Sequence, residues 1–358
     1  QVFEPTEFAN LVHNALVLYE EGHYLESKAP WLDVIEMNSL FDFAKVGLGE
    51  ALFKEEAYEE AQTAFKQGLD LTGYSDSYWE IRNVWLKTNL VSIFLIALGS
   101  YILFKVIHLL DRKKNILSPI KKQLNKIKNI KLIKEINFIW YFIKNPSDGF
   151  YGIKREGKVS ILSTTIILVL FICVYLFNRY CSGFLFKTVK EGEFTIGSDI
   201  TLFLAGFVLL LTCHYLVATI TDGEGKFKHV YSGIVYSFVP YFLLVPIATI
   251  LSNVLTLNES FILSFMYTLT YGWIGVLLVI MIKELHNFTL SEVVKNIFVT
   301  LFTTLIAILA IFVVSVLFTQ VYDFVSALIG EAVYRLAPFQ YIIHEIVRSV
   351  RYQNINHY

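Results

Sequence analysis

Residues 214–259 read HYLVATITDGEGKFKHVYSGIVYSFVPYFLLVPIATILSNVLTLNE, and the organisation of the whole chain follows from this pattern. The short charged turn TDGEG at 221–225 separates two apolar runs of the length that crosses a bilayer. The second run carries Pro240 and Pro246. A proline frees a backbone carbonyl, which inside a bilayer has to be satisfied by neighbouring helices. The stretch therefore predicts a membrane hairpin packed within a helical bundle.

The composition is that of a polytopic membrane protein. The chain has 358 residues, of which 55% are hydrophobic and 17% are charged, and its mean hydropathy is +0.54. The formal net charge of −1 hides an uneven distribution. Residues 1–80 carry 16 Asp and Glu against four Lys, a net charge of −12, whereas 111–158 carry 13 Lys and Arg against four Asp and Glu, a net charge of +9.

Residues 6–73 repeat with a period of 34. The aligned aromatic pairs are Tyr19 with Phe53, Tyr24 with Tyr58, and Trp31 with Phe65. Aromatic residues at these places in a repeated helix pair resemble the tetratricopeptide repeat. Ala61 and Ala64 allow a close helix contact in the second copy, where the first copy has Ser27 and Pro30. Two repeats rarely stand alone, so we expect a third helix, from about residue 77 to 87, to stack on them and continue into the membrane.

Six apolar segments follow, each long enough to cross a hydrocarbon core of about 30 Å. They are 88–110, 159–177, 200–220, 230–255, 261–282 and 297–318. The predicted fold class is all-α, with a short tetratricopeptide-repeat helical domain followed by a polytopic membrane bundle. The predicted parts are a repeat domain (1–80), a first transmembrane helix (81–110), a basic loop (111–158), a five-helix membrane domain (159–320) and a C-terminal amphipathic tail interrupted at Pro338 (321–358).

The charge distribution predicts the orientation in the plasma membrane. Isoleucines recur at helical spacing among lysines in the basic loop, at positions such as Ile116, Ile120 and Ile139, which is typical of an amphipathic helix on an anionic membrane surface. Lys and Arg concentrate in cytoplasmic loops, so the basic loop is predicted inside, with the 221–225 turn and residues 283–295. The acidic repeat domain and the tail are then extracellular, and we expect a signal sequence or a further region before the first residue.

Three segments of the chain resemble the YIP1-type membrane domain in its bacterial form. They are NPSDGFYGIKREGKVS (145–160), ATITDGEGKFKHVYSGIVYSFVP (218–240) and ILSNVLTLNE (250–259), and the resemblance covers about residues 145–320. One departure is the stretch before the turn, which is rich in Trp in the family and here reads CHYLVATI. Members of this bacterial group couple tetratricopeptide repeats to a five-helix YIP1 domain, and their genes accompany carbohydrate ABC importers of Gram-positive bacteria.

The resemblance implies a membrane accessory subunit beside a sugar transporter. Its expected partners are the permease subunits of an ABC importer, an extracellular substrate-binding protein and membrane lipids; a homo-oligomer stays open and nucleic acid is not expected. Two alternatives are a stand-alone transporter or channel, and a membrane-organising protein by analogy with eukaryotic YIP1 relatives. The sequence has no HExxH, no phosphate-binding glycine loop and no Cys/His cluster, so we predict no enzyme activity, cofactor or metal.

The two cytoplasmic corners carry acidic residues that have two interpretations. At the turn, Asp222, Gly223, Glu224 and Gly225 can cap a helix and permit a tight reversal, or they can dock a partner. At the other corner, Asp148 and Gly149 follow Pro146. Asp148 can cap its own turn, or it can pair with a basic group of residues 222–229. An exposed pair of that kind contributes under about 1 kcal/mol.

The remaining candidate residues lie in or beside the membrane spans. His214 is the titratable group well inside a span, either hydrogen-bonded to a neighbouring helix or part of a proton path. Pro240 and Pro246 are expected to kink the fourth span, as a packing device or as a broken helix at a substrate site. Asn253 and Glu259 belong to the third segment that carries the resemblance, and the outer end near Glu259 is an expected interaction surface under the repeat domain.

Overall fold

The structure is a computed structural model that describes the backbone of residues 6–114, 130–189 and 195–355 and the side chains of 6–111, 130–189 and 195–335. The described residues form helices and helical turns and no strands, which confirms the all-α prediction. They divide into two compact units. Unit 1 combines residues up to Ile200 with Lys226–Leu285, and unit 2 combines Thr201–Gly225 with the residues from His286 onward.

Unit 1 opens with two helical hairpins. Their helices are α1 (Glu7–Glu20), α2 (Tyr24–Met37), α3 (Asp42–Lys54) and α4 (Tyr58–Gln67). The start of α1 is fixed by the Thr6 hydroxyl, which accepts a hydrogen bond from the Ala9 N–H group at 3.3 Å. Helices α2 and α4 begin at equivalent tyrosines 34 positions apart, so the predicted period is present as a repeated hairpin.

The aromatic residues that reveal the period make equivalent contacts in the two hairpins. Tyr19 packs edge-on against Tyr24 with ring centroids 5.2 Å apart, and Phe53 packs against Tyr58 at 5.3 Å. Trp31 and Phe65 fill the two hairpin cores, where each is 1% exposed. Ala61 and Ala64 are buried in α4, and Ser27 and Pro30 are buried at the matching places of α2. Small residues at these places let the paired helices approach closely.

Helix α5 (Leu71–Lys114) packs on α4 and continues without interruption into the first apolar segment. The third helix after the hairpins thus runs on, as expected, into the first apolar segment, which is a candidate membrane span. Within the candidate span Leu71–Asp111, the most apolar 18-residue window has no buried residue, so its side chains are available to lipid or to other helices. The predicted boundary at residue 80 therefore falls inside a single helix.

The rest of unit 1 contains α6 (Lys131–Lys144), the short α7 (Pro146–Tyr151), a π-helical turn (Gly152–Glu156) and α8 (Ile161–Cys181). It continues with the start of α9 (Ile196–Ile220), then α10 (Phe227–Ser237), α11 (Val239–Ser252) and most of α12 (Ser260–His286). Helix α8 packs against α10 and α11. The break between α10 and α11 lies at Phe238, two residues before Pro240, whereas Pro246 sits inside α11 without ending it.

Helix α6 corrects the prediction of an amphipathic helix lying only on the membrane surface. Ile139 is 7% exposed and its neighbours Phe138 and Phe142 are also buried, so this apolar face packs on protein. Aromatic contacts with Tyr236 of α10 account for the burial, with Phe142 and Tyr236 ring centroids 5.3 Å apart. The upstream half of the predicted amphipathic helix, including Ile116 and Ile120, lies outside the described residues.

Unit 2 contains most of α9, the 221–225 turn and α13 (Leu290–Ile355). The backbone of α13 stays helical through Pro338, so the predicted interruption there is wrong. A proline removes one helical hydrogen bond and leaves the bonds on either side in place. The predicted tail from residue 321 is thus a continuation of the last span, and its placement on the outer face stays a prediction.

Six helical segments of the described residues are long and apolar enough to cross a membrane. They are Leu71–Asp111, Ile161–Cys181, Ile196–Ile220, Phe227–Ser252, Leu257–His286 and Leu290–Arg335. They correspond one to one with the six predicted spans. The chain is therefore a multi-pass membrane protein.

Candidate functional site

A polar junction joins α5 to the loop that precedes α12. The Arg82 guanidinium donates two hydrogen bonds to the Glu259 carboxylate, from Nη1 to Oε2 and from Nη2 to Oε1, both at 2.8 Å. Nη1 also donates to the Val254 carbonyl at 2.8 Å. The two side chains are 15% and 25% exposed. A bidentate pair fixes the relative orientation of the guanidinium and the carboxylate as well as their separation. It therefore constrains how α5 packs against the loop.

Further contacts widen this junction along the first turns of α5. The Leu257 N–H group donates to Ser75 Oγ at 2.9 Å, and the Tyr74 ring packs on Phe184 at 4.7 Å. The Trp79 ring lies 4.9 Å beneath the Arg82 guanidinium, a cation–π contact that holds the arginine in place. The junction is therefore a surface built from several contacts around one ion pair.

A local capping box positions the Glu259 carboxylate to pair with Arg82. Residues 256–259 read TLNE, which has the spacing of a capping box, and the Glu259 carboxylate accepts from the Thr256 N–H group at 3.0 Å. This bond holds the carboxylate at the start of the turn Leu257–Glu259, where its oxygens meet Arg82. Glu259 thus contacts α5, the helix that follows the helical hairpins, and its predicted position on the outer side of the membrane stays a prediction.

Asn253 connects the end of α11 to the end of α8. Its amide Nδ2 donates to the Cys181 carbonyl at 3.0 Å and to the Thr249 carbonyl at 2.9 Å. Beside it, the Gly183 N–H group donates to Ser252 Oγ at 2.9 Å, and a Cβ atom on Gly183 would lie 2.2 Å from the Ser252 carbonyl oxygen. Only glycine allows this approach. Sequence reasoning missed Gly183 because the contact depends on a residue 69 positions away.

The corner that contains Asp148 and Gly149 is organised by aromatic packing. Gly149 is buried against Phe142, whose Cδ2 atom would lie 2.5 Å from an added Cβ atom. Phe142 also packs edge-on against Phe150 at 4.9 Å. Asp148 forms no ion pair with Lys226, Lys228 or His229 in the described part of the chain, so the suggested bridge between the two corners is absent. Asp148 is exposed in the first turn of α7.

Glu135, a residue of α6, forms hydrogen bonds with the residue at which α8 begins. Its Oε2 atom accepts from the Ser160 N–H group at 3.1 Å and from the Ser160 hydroxyl. Ser160 is also the N-cap of α8, in a reciprocal box with Ser163. Burial raises the pKa of Glu135, but hydrogen bonds from Ser160 and Ser163 outweigh it, and the net shift lowers the pKa. Sequence reasoning missed this buried carboxylate, because Glu135 stands among the lysines of the basic loop.

The 221–225 turn of unit 2 is explained by backbone geometry. Asp222 has φ +58°, a left-handed conformation, and the Gly223 N–H group donates to the Ala218 carbonyl at 2.8 Å. This is the bond that closes a helix in a Schellman motif, so Asp222 ends α9. The start of α10 has no side-chain cap, so the expectation that an acidic residue of the turn caps that helix is wrong. Glu224 lies 3.5 Å from the amide of Asn287.

The two glycines of the turn wrap the His286 ring. An added Cβ atom would lie 2.4 Å from His286 Nδ1 at Gly223 and 2.7 Å from Cε1 at Gly225. His286 also meets His214 edge-on, with ring centroids 5.3 Å apart, and the two residues are 2% and 4% exposed. The structure therefore gives His214 a buried histidine neighbour. Sequence reasoning missed His286 because it falls at the end of the fifth span, outside the apolar run.

Several of these contacts involve residues of a region that a known family shares. A family model described as the Yip1 domain matches residues 140–327, more than half of the chain. The chain belongs to the Yip1 domain family. No curated protein and no solved structure matches it. All the predicted site residues lie within the Yip1 domain, whereas Arg82 and the hairpins precede it, so the Arg82–Glu259 pair joins the domain to the helix that carries the hairpins.

Proposed function

We propose that this chain is a non-catalytic membrane-organising protein. In this proposal the Yip1 domain sits in the bilayer, and the helical hairpins of residues 7–67 bind a protein partner. The observation that carries the proposal is the bidentate Arg82–Glu259 pair, which fixes the helix that carries the hairpins to the Yip1 domain. The Yip1 family is not known for enzymes. The hairpins resemble tetratricopeptide repeats, whose concave surfaces commonly bind proteins.

Exposed apolar side chains on the hairpins support this proposal. Leu25 is 72% exposed, Leu40 is 86% exposed and Phe43 is 50% exposed. A partner that covers these side chains would gain apolar burial, while the acidic surface around them would favour basic groups at its rim. The extracellular position of the hairpins is part of this proposal.

Association with a carbohydrate importer is a narrower form of the proposal. It names the permease subunits and an extracellular substrate-binding protein as partners, and its basis is the sequence resemblance. The family match concerns the Yip1 domain alone, so it favours the general membrane-organising function over the importer role. Either form allows copies of this chain to associate.

Site-specific crosslinking in membranes of the native host tests the proposal. A photoreactive amino acid at position 25 or 40 should trap a defined protein partner, identified by mass spectrometry. Arg82→Ala should reduce that product severalfold, because the hairpins are no longer held to the Yip1 domain. Arg335→Ala is the matched control, since its partner Glu331 forms an exposed pair within one helix.

Two results would contradict the proposal. One is the absence of any trapped partner at both positions with intact, correctly inserted protein. The other is solute flux in proteoliposomes that contain this chain alone and that is lost in His214→Ala, which would support the transporter alternative. Protease added to intact cells should remove the hairpins; their protection would reverse the proposed orientation.

A further inference from the structure

A basic cavity lies in unit 1 where two membrane spans begin. Its volume is about 340 Å³, and it opens between the start of α8 and the start of α10. The polar side chains that line it are Lys154, Arg155, Ser160, Lys228, His229 and Ser232. Three of these side chains are permanently cationic and two are hydroxyls, which is the donor set that recognises a phosphate group.

The charge around this cavity is positive. No carboxylate belongs to its lining residues. The neighbouring Glu156 pairs with Lys158 at 2.6 Å, and Glu135 accepts hydrogen bonds from the lining residue Ser160. The ring of His229 is close enough to four cationic side chains to experience their charge: Lys154, Arg155, Lys226 and Lys228. The lining therefore carries the positive charges of Lys154, Arg155 and Lys228 and no carboxylate.

His229 brings an unmet hydrogen-bonding atom to the cavity. Its Nδ1 atom is buried and finds no hydrogen-bond partner among the described residues. Buried polar atoms normally have a hydrogen-bond partner, so this nitrogen is able to contribute a hydrogen bond to a group bound in the cavity. The first turns of α8 and α10 add the positive ends of two helix dipoles, which favour an anion at the same place.

The position of the cavity favours a phospholipid over a soluble phosphate compound as its ligand. The candidate spans Ile161–Cys181 and Phe227–Ser252 both begin here. The ends of a membrane-spanning helix lie close to the phospholipid headgroups, because the span is about as long as the hydrocarbon core is thick. Ile161 lines the cavity and is 59% exposed, and the adjacent Leu162 is 64% exposed. A phosphate in the cavity with an acyl chain along these side chains would use both the cationic and the apolar surface. Basic pockets between membrane helices bind anionic lipid headgroups in this way.

We propose that this cavity binds the headgroup phosphate of an anionic phospholipid, held by Lys154, Arg155 and Lys228, with the ring of His229 and the hydroxyls of Ser160 and Ser232 as further partners. The site is distinct from the outer junction at Glu259. It does not depend on the proposed protein-binding function.

Native mass spectrometry of the full-length protein in detergent, titrated with phosphatidylglycerol or phosphatidylcholine, tests this assignment. The wild-type chain should retain one phosphatidylglycerol more tightly than any phosphatidylcholine. The double variant Lys154→Gln/Lys228→Gln should weaken that binding by about tenfold or more, since each basic residue near a lipid surface contributes about fivefold. The matched control Lys283→Gln/Lys295→Gln removes two charges from the loop predicted on the same membrane side.

The controls separate a defined site from general attraction. The control variant should bind phosphatidylglycerol within about twofold of the wild-type chain, and both variants should keep the wild-type melting temperature without added lipid. Equal weakening in the two double variants, or none in Lys154→Gln/Lys228→Gln, would overturn the site. Displacement of the bound lipid by millimolar glycerol phosphate or inorganic phosphate would assign the cavity to a soluble ligand and overturn the lipid assignment.

Discussion

Replacing Arg82 by alanine should release the loop at residues 253–259 from α5. The substitution removes both charge-assisted bonds to Glu259, the bond to the Val254 carbonyl and the contact with the Trp79 ring. It leaves the Glu259 carboxylate partly buried and without its cation. This loss should lower the free energy of local opening, because the loop then depends on its own capping box and on Ser75.

The expected magnitude follows from the burial of the pair. Fully exposed ion pairs contribute under about 1 kcal/mol, and breaking a fully buried pair costs about 3 to 5 kcal/mol. Side chains that are 15% and 25% exposed lie between these limits, so we expect about 2 to 3 kcal/mol for Arg82→Ala. Since about 1.4 kcal/mol is a factor of ten, amide exchange in this loop should accelerate by roughly 30- to 140-fold.

Hydrogen–deuterium exchange measured by mass spectrometry gives the test. The amides to follow are those of Thr256, Leu257 and Glu259, each of which donates a hydrogen bond at this junction. Arg82→Lys, which keeps the charge and loses the bidentate geometry, should fall between wild type and Arg82→Ala. Arg335→Ala should leave exchange in the loop unchanged. Acceleration of less than about threefold in Arg82→Ala would refute the reasoning.

Two further substitutions test local packing. Gly223→Ala should destabilise the protein by about 1 to 3 kcal/mol, because the new Cβ atom would meet His286 Nδ1 at 2.4 Å, whereas Gly272→Ala, which meets no atom within 4 Å, should change stability by under about 1 kcal/mol. Melting temperatures in detergent measure both, and equal effects would contradict the packing argument. Glu135→Gln should cost about 1 to 2 kcal/mol at pH 7. The lowered pKa of Glu135 means that this contribution is present above the unfolded pKa of about 4.3 and is lost as the pH falls through the lower folded value, so the stability difference between wild type and variant should shrink as the pH falls below about 4.3. A stability difference that is constant from pH 7 to pH 3 would exclude the carboxylate as its source.

The repeat and the membrane spans could be predicted because they depend on periodicity and length. The 34-residue offset of Tyr24 and Tyr58 predicts two equivalent helix starts, and α2 and α4 begin at these residues. The apolar segments likewise predict where the spans lie, because a bilayer imposes a minimum length on them. The passage of α5 into the first span was expected because two repeats rarely stand alone and the next helix directly precedes the first apolar segment.

The contacts of the candidate sites could not be predicted, since they join residues that are distant in the chain. Arg82 and Glu259 are separated by 177 positions, and neither lies in a sequence pattern that predicts the other as its partner. The glycines of the 221–225 turn suggest a tight reversal, but only the fold shows that they make room for His286. The spacing of hydrophobic residues in α6 predicts an apolar face. It cannot show whether that face contacts lipid or another helix, such as the one that carries Tyr236.

The unbroken course of α5 also fixes a rotational phase between the hairpins and the first span. An α-helix turns by about 100° per residue, so one residue added between Arg82 and the apolar segment would rotate the membrane-facing side chains by that angle relative to the hairpins, whereas seven added residues would nearly restore their direction. The length of this segment therefore encodes which side of the span faces its neighbours. A partner that rotates the hairpins would rotate the span with them, because α5 is one continuous helix without a break between the two.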